Sequence, residues 1–183
     1  MAIWGVVRLP DGVDAAAGVG DGATAAGVAA LLDGLVAVTE RTPWEDVLAT
    51  LPSGVTRIVE LDATTATDHE GGAAIRALLD VGIGEEPAID HAAVVSGRPL
   101  ADALKRVEGD VVVEGLERDG LLIPGVPHVI DRGRLAAAVG SSARSTGDVT
   151  SRDAVTTLLD AGHAVLVVGP EGPPMTVRRG MGE

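Results

Sequence analysis

The hydrophobic positions of this chain fall into short, nearly continuous runs separated by Gly/Pro/Asp punctuation, not into the alternating pattern of a half-solvated sheet. Ile3 to Leu9 is such a run, stopped by Pro10-Asp11-Gly12, and reads as a buried strand and turn. Gly22 to Leu32 is small and Ala-rich, a helix ended by Asp33-Gly34, and Leu35 to Thr39 is a short strand. Thr42-Pro43-Trp44-Glu45 has the form of a helix start, with Thr as N-cap, Pro at the first helical position and Glu45 completing a capping box. The helix it opens carries Trp44, Val47, Leu48 and Leu51 on one face. Arg57 to Asp62 is a strand leading into a polar loop, Gly71 to Leu79 a helix, and His91 to Val95 a strand. Val111-Val112-Val113-Glu114 is a β-branched run that pairs, on this reading, with Leu121-Leu122-Ile123. Asp131 to Val139 and Thr150 to Leu159 are helices, and Ala164 to Gly169 is a last buried strand. The Gly/Pro-rich tail, 171–183, is expected to fray.

Strands alternating with helices predict a three-layer α/β fold, Rossmann-like, with a mainly parallel sheet. One domain of this kind accounts for residues 1–183. The segment 99–125 breaks the alternation, with β-like runs and no full helix between them, and reads as an inserted hairpin arm.

Composition narrows the chemistry. The chain has no cysteine, so disulfides, thiol nucleophiles and Cys-ligated metals are excluded. Fourteen basic against 27 acidic residues give a net charge of −13, which argues against duplex nucleic acid and anionic membranes as partners. No basic, apolar leader opens the sequence and no apolar run reaches the ~18 residues of a membrane span, so a soluble, cytoplasmic protein is expected. Asn and Gln are absent, and Lys105 is the one lysine beside thirteen arginines. The four histidines, His69, His91, His128 and His163, lack metal-ligand spacing, and no metal site is expected from them. No Ser-His-Asp order or nucleophile elbow supports a hydrolase.

Three features carry candidate chemistry. Ala16-Ala17-Gly18-Val19-Gly20 precedes a helix, as phosphate-cradling loops do, although 25 glycines produce such patterns by chance. Asp62 closes a buried strand, where open α/β sheets hold ligands; a loop-capping role is the alternative. Lys105, Arg106 and Arg118 form a basic cluster in the arm, or merely offset Glu108, Asp110, Glu114 and Glu117.

From Trp44 onward the segments resemble the 2-C-methyl-D-erythritol 4-phosphate cytidylyltransferase family of isoprenoid biosynthesis, over about three-quarters of the chain. Leu100-Ala101-Asp102-Ala103-Leu104-Lys105-Arg106-Val107 is similar to that family's Val-Thr-Asp-Thr-Ile-Lys-Arg-Val, and a glycine turn and a β-branched run follow in both. Glu117-Arg118-Asp119-Gly120-Leu121 is similar to Asp-Arg-x-x-Leu, and Val126-Pro127-His128 falls on Thr-Pro-Gln without a gap. Upstream, Leu61-Asp62-Ala63-Thr64-Thr65 is similar to His-Asp-Ala-Ala-Arg; downstream, Ser151-Arg152-Asp153-Ala154 sits on Thr-Asp-Asp-Ala. The resemblance implies a nucleotidyltransferase fold, CTP and a phosphorylated sugar alcohol as ligands, and Mg²⁺ if a nucleotide is bound. It also implies a homodimer joined through the arm. On the matching positions it implies Asp62 and Arg118 as catalytic residues, Arg106 and Lys105 at the substrate, and Ala17, Gly18 and Gly20 at the nucleotide.

The departures fall on the cations. The glycine loop's arginine is Gly22 and no lysine follows it; the Asp-Ala-Ala-Arg arginine is Thr65; the late Lys-Ile-Thr lysine is Pro174. Two threonines of the family pattern are Ala103 and Val126. In the family a phosphate oxygen attacks the α-phosphorus of CTP and pyrophosphate leaves, a step driven by positioning and by cations on the developing charge. Losing one such group typically costs ~10²–10³ in rate. A degenerate homologue with a binding or regulatory role is therefore the first expectation. The alternatives are an active enzyme on another phosphorylated substrate, and a structural subunit supporting a partner enzyme. Arg178 and Arg179 are the cations that would rescue catalysis if the tail folded back over the site.

Overall fold

The computed structural model describes residues 1–13, 26–68, 70–83, 91–100, 104–116, 121–142, 153–170 and 173–179. Ala17, Gly18, Gly20, Gly22, His69, Ala103 and Arg118 lie outside the described residues.

The elements run β1 (Ala2–Leu9), α1 (Ala26–Ala29), β2 (Gly34–Thr39), α2 (Trp44–Thr50), β3 (Val55–Asp62), α3 (Ala63–Thr67), α4 (Gly71–Ile83) and β4 (His91–Pro99). They continue with β5 (Leu104–Glu108), β6 (Val111–Leu116), β7 (Leu122–Asp131), α5 (Arg132–Ser142), α6 (Ala154–Asp160), β8 (Ala164–Val168) and β9 (Met175–Val177). Seven strands form one sheet in the order β2-β1-β3-β7-β4-β8-β9. Strand β7 is antiparallel to both β3 and β4, β9 is antiparallel to β8, and the other pairings are parallel. The α/β, mainly parallel architecture expected from the sequence is the one observed.

Both faces of the sheet are covered, which is why its strands read as continuous apolar runs. Val6, Ile58, Val95, Ile130 and Val165 pack with Val47 of α2, Leu135 of α5 and Leu158 of α6. Their chain neighbours Val7, Val59, Val94, Val129 and Leu166 turn to the other face, against Val28 of α1, Ala66 of α3 and Ile75 and Leu78 of α4. Where two segments approach most closely, only glycine fits. A Cβ on Gly72 of α4 would stand 2.6 Å from the Gly27 carbonyl carbon of α1, and one on Gly34 would stand 2.5 Å from the Trp4 ring.

Several local expectations are corrected. Pro43, not Thr42, is the N-cap of α2, and no side chain caps that helix. The Thr42 hydroxyl instead accepts from the Thr39 amide at 3.2 Å and closes the β2–α2 turn. The loop expected after Asp62 is a helical turn, α3. The β6 run pairs with β5, not with Leu121-Leu122-Ile123. Gly109 takes φ +60 and closes a two-residue connection, so the local hairpin forms at little entropic cost. Leu122 and Ile123 pair instead with Pro99 and Arg98 of β4, where Leu122 joins the buried face. Part of the tail expected to fray is β9, tied further by a 2.8 Å hydrogen bond between His91 Nε2 and Thr176 Oγ1.

Candidate functional site at the carboxyl ends of the strands

In an open α/β sheet the ends of the parallel strands leave a crevice where ligands sit. Here that edge is formed by the ends of β1, β3, β4 and β8. Asp62 closes β3 there, with its carboxylate turned back onto the chain. Its Oδ1 accepts from the Thr65 amide at 2.6 Å and caps α3, which realises the capping role. The other carboxylate oxygen is unclaimed by that cap. A carboxylate is the ligand type that magnesium takes at nucleotide sites, one or two of them together with substrate phosphates. Among the described residues no group of three or more His, Cys, Asp or Glu side chains converges as a metal site.

Just below this edge lies a buried polar chain that sequence reading missed. Arg8 Nε donates to Glu60 Oε1 at 3.1 Å, and His128 Nδ1 lies 3.0 Å from Glu60 Oε2. The register makes this contact: Glu60 of β3 stands opposite His128 of β7, and Val6 is aligned with Glu60 two residues before Arg8. Glu60 is 6% and His128 8% exposed. The Arg8 Nη1 donates to the carbonyls of Thr42 at 2.7 Å and Thr39 at 3.3 Å, which ties the β2–α2 turn to the sheet. Its guanidinium also lies 4.5 Å from the centroid of the buried Trp44 ring, a cation–π contact. A signal was available in the sequence. Arg8 and Glu60 each interrupt an apolar run, and a charge in a doubly covered strand needs a buried partner.

The remaining cations divide clearly. Arg41, after β2, pairs with Asp11, after β1, at 2.6 Å. Arg106 of the arm lies 3.5 Å from Glu114 and 3.8 Å from Glu108, so it is balanced by its own hairpin, while Lys105 is exposed beside it. Arg98 stands exposed at the end of β4 with no acid partner among the described residues, beside the Ser96 hydroxyl that donates to the Gly125 carbonyl at 2.5 Å. The tail arginines do not reach this edge. Because β9 is antiparallel to β8, with Met175 beside Val167 and Val177 beside Val165, the chain passes Pro174 near the carboxyl ends and then runs away. Arg179 pairs with Asp160 at the end of α6, on the opposite edge.

No family model and no curated protein matches the chain in sequence. Its structure matches solved cytidylyltransferases. A 4-diphosphocytidyl-2C-methyl-D-erythritol synthase from Anaerococcus prevotii superposes with a TM-score of 0.60 at 14% identity, over 93% of this chain and 87% of that one. The 2-C-methyl-D-erythritol 4-phosphate cytidylyltransferase of Thermus thermophilus gives 0.59 at 16% identity, over 91% of this chain and 71% of its own. That of Francisella tularensis gives 0.58 at 15%, over 90% and 89%. The chain has the fold of these nucleotidyltransferases.

Proposed function

We propose that this chain is a degenerate homologue of 2-C-methyl-D-erythritol 4-phosphate cytidylyltransferase, which keeps the fold and the arm but serves a binding or regulatory role in place of CMP transfer. CTP brings about four negative charges into a protein at −13, and phosphoryl-type transfer depends on cations to hold and stabilise them. The observation that carries the reading is the pairing of Arg8 with Glu60: the guanidinium just below the carboxyl edge, near the end of β1, is already neutralised from within. Arg41 is matched by Asp11, and Gly22, Thr65 and Pro174 stand where the resemblance implies phosphate-gripping Arg and Lys. The tail arginines, the cations of the expected rescue, lie on the far edge.

A pyrophosphate-release assay with CTP, Mg²⁺ and methylerythritol phosphate tests this, and no turnover is expected. Turnover within tenfold of ordinary enzymes (~1–10³ s⁻¹) would overturn it. In that case Arg98, exposed and without an acid partner among the described residues, with Mg²⁺ on Asp62, is where an active nucleotidyltransferase would find its cations. A thermal-shift screen of nucleotides and phosphorylated small molecules, with and without Mg²⁺, reads binding separately. A ligand at 100 times its Kd adds ~2.7 kcal/mol.

The same reading includes a homodimer through the arm. Val111, Val112 and Val113 are exposed on successive residues of a two-stranded sheet, so both faces of β6 present apolar surface to solvent in the single chain. Light scattering should give twice the 18.4 kDa chain mass; a monomer at micromolar concentration contradicts it.

A further inference from the structure

The last strand of the sheet is held by few and separable contacts. β9 pairs with β8 at three residues, Val165 with Val177, Leu166 with Thr176 and Val167 with Met175. Met175 and Thr176 are exposed, and of the three side chains Val177 alone packs on the core, half-buried. The connection from β8, 169–174, carries three prolines and two glycines, so it offers few amides that could bind it to the sheet. Under this light cover lies a strand of another kind. Ala164, Val165, Leu166 and Val167 of β8 are each at most 6% exposed, and β9 alone pairs with the edge they turn away from β4. Two side-chain ties fasten β9. The Thr176 hydroxyl reaches past β8 to His91 Nε2 of β4 at 2.8 Å, a bond that either ring tautomer makes because a hydroxyl both donates and accepts. Arg179, just beyond the strand, pairs with Asp160, the last residue of α6. That helix has no basic residue in its own last turn, and its dipole disfavours an acid there, so Arg179 supplies the positive charge this end calls for. The Arg179 side chain is 65% exposed, open to screening by salt.

We propose that β9 is a strap which opens and closes as a unit while the rest of the sheet stays folded, and that ionic strength sets how often it is open. Elements with little burial and few bonds open at a lower cost than the core they cover, and β9 is such an element beside a fully packed strand. Closed, it pairs the edge of β8 and neutralises the end of α6; open, both lose their cover together. Salt weakens the Arg179–Asp160 pair, whereas the ladder to β8 and the Thr176–His91 bond carry no such dependence. Screening therefore shifts the balance towards the open form without abolishing the closed one. The device is independent of any ligand at the carboxyl edge.

Amide hydrogen exchange of the full chain, read residue by residue by NMR at about 0.05 and 0.5 M NaCl, tests the strap. The β9 amides and the β8 amides that point to β9 should exchange through one common opening, at least about tenfold faster than the β8 amides that point to β4. They should still exchange at least about tenfold slower than an unfolded chain, as a mostly closed strap requires. The higher salt should quicken this opening about two- to fivefold relative to the amides that point to β4, the range for an exposed ion pair. Arg179→Ala should quicken it to the same extent at low salt and remove the salt response. Thr176→Val should quicken it with the salt response intact. Exchange of β9 only in step with the amides that point to β4 overturns the proposal, as does a β9 without protection. A native chain without a salt response, or a response that survives Arg179→Ala or is lost in Thr176→Val, overturns the control by ionic strength. Pyrophosphate release plays no part in these readings, so the strap and the proposed function fail separately.

Discussion

Replacing Glu60 by alanine should destabilise the chain by about 3–5 kcal/mol, the range for removing one partner of a buried ion pair. The structure accounts for a value of that size. Glu60 is 6% exposed, and its loss leaves the Arg8 guanidinium, whose side chain is 13% exposed, without a counter-charge. It also leaves the His128 Nδ1–H without an acceptor. Arg8 keeps the Thr42 and Thr39 carbonyls and the Trp44 face, which hold the cost towards the lower half of the range. At this chain length the midpoint of thermal unfolding should fall by about 6–20 °C. The triple variant Arg8→Met, Glu60→Leu, His128→Leu provides the contrast. With all three polar groups of the buried network removed together, stability should return to within ~1 kcal/mol of the native protein or exceed it. Calorimetry or urea unfolding of the two variants decides the matter. A loss below ~1 kcal/mol in Glu60→Ala would mean that water reaches Arg8 in the folded state, and would refute the buried-network account.

Asp62→Ala removes the α3 cap and should cost ~1 kcal/mol in urea unfolding, with Asp62→Asn recovering most of it. Arg98→Ala should leave the unfolding midpoint unchanged while weakening any phosphate or CTP binding seen by calorimetric titration; equal binding in the variant would remove Arg98 from the site. Gly34→Ala drives a methyl into the Trp4 ring and should cost about 1–3 kcal/mol, accompanied by a change in Trp4 environment.

How far the sequence foretells this molecule differs from strand to strand, for physical reasons. β1, β3, β4 and β8 are legible because burial on both faces makes runs such as Ile58-Val59 and Ala164-Val165-Leu166 apolar residue after residue. β7 is not legible, although it is central. Pro124, Gly125 and Pro127 interrupt it, and these residues sit at an irregularity where Val95 pairs with His128 while Ser96 already pairs with Gly125. Within the segment 99–125 the run Val111-Val112-Val113 is legible as a strand, but its partner, β5, follows from the Gly109 turn and not from the run's own pattern. The candidate site was legible only in part. Asp62 stands at the strand end expected of it, whereas the Arg8–Glu60–His128 chain joins residues 52 and 68 positions apart. No local pattern links them; they meet because β7 enters the sheet antiparallel, beside β3.

The two tryptophans, in a chain without tyrosine, give the protein a clean optical signal with built-in addresses. Trp44 lies under the Arg8 guanidinium by the carboxyl edge, and Trp4 lies near the start of β1 against Gly34, on the same face but towards the amino ends of the strands. Ultraviolet emission therefore arises from one reporter beside the candidate site and one remote reference. Replacing Trp4 by leucine would leave a single fluorophore whose colour and quenching follow the state of Arg8, so that occupation of the edge can be watched in the unlabelled protein.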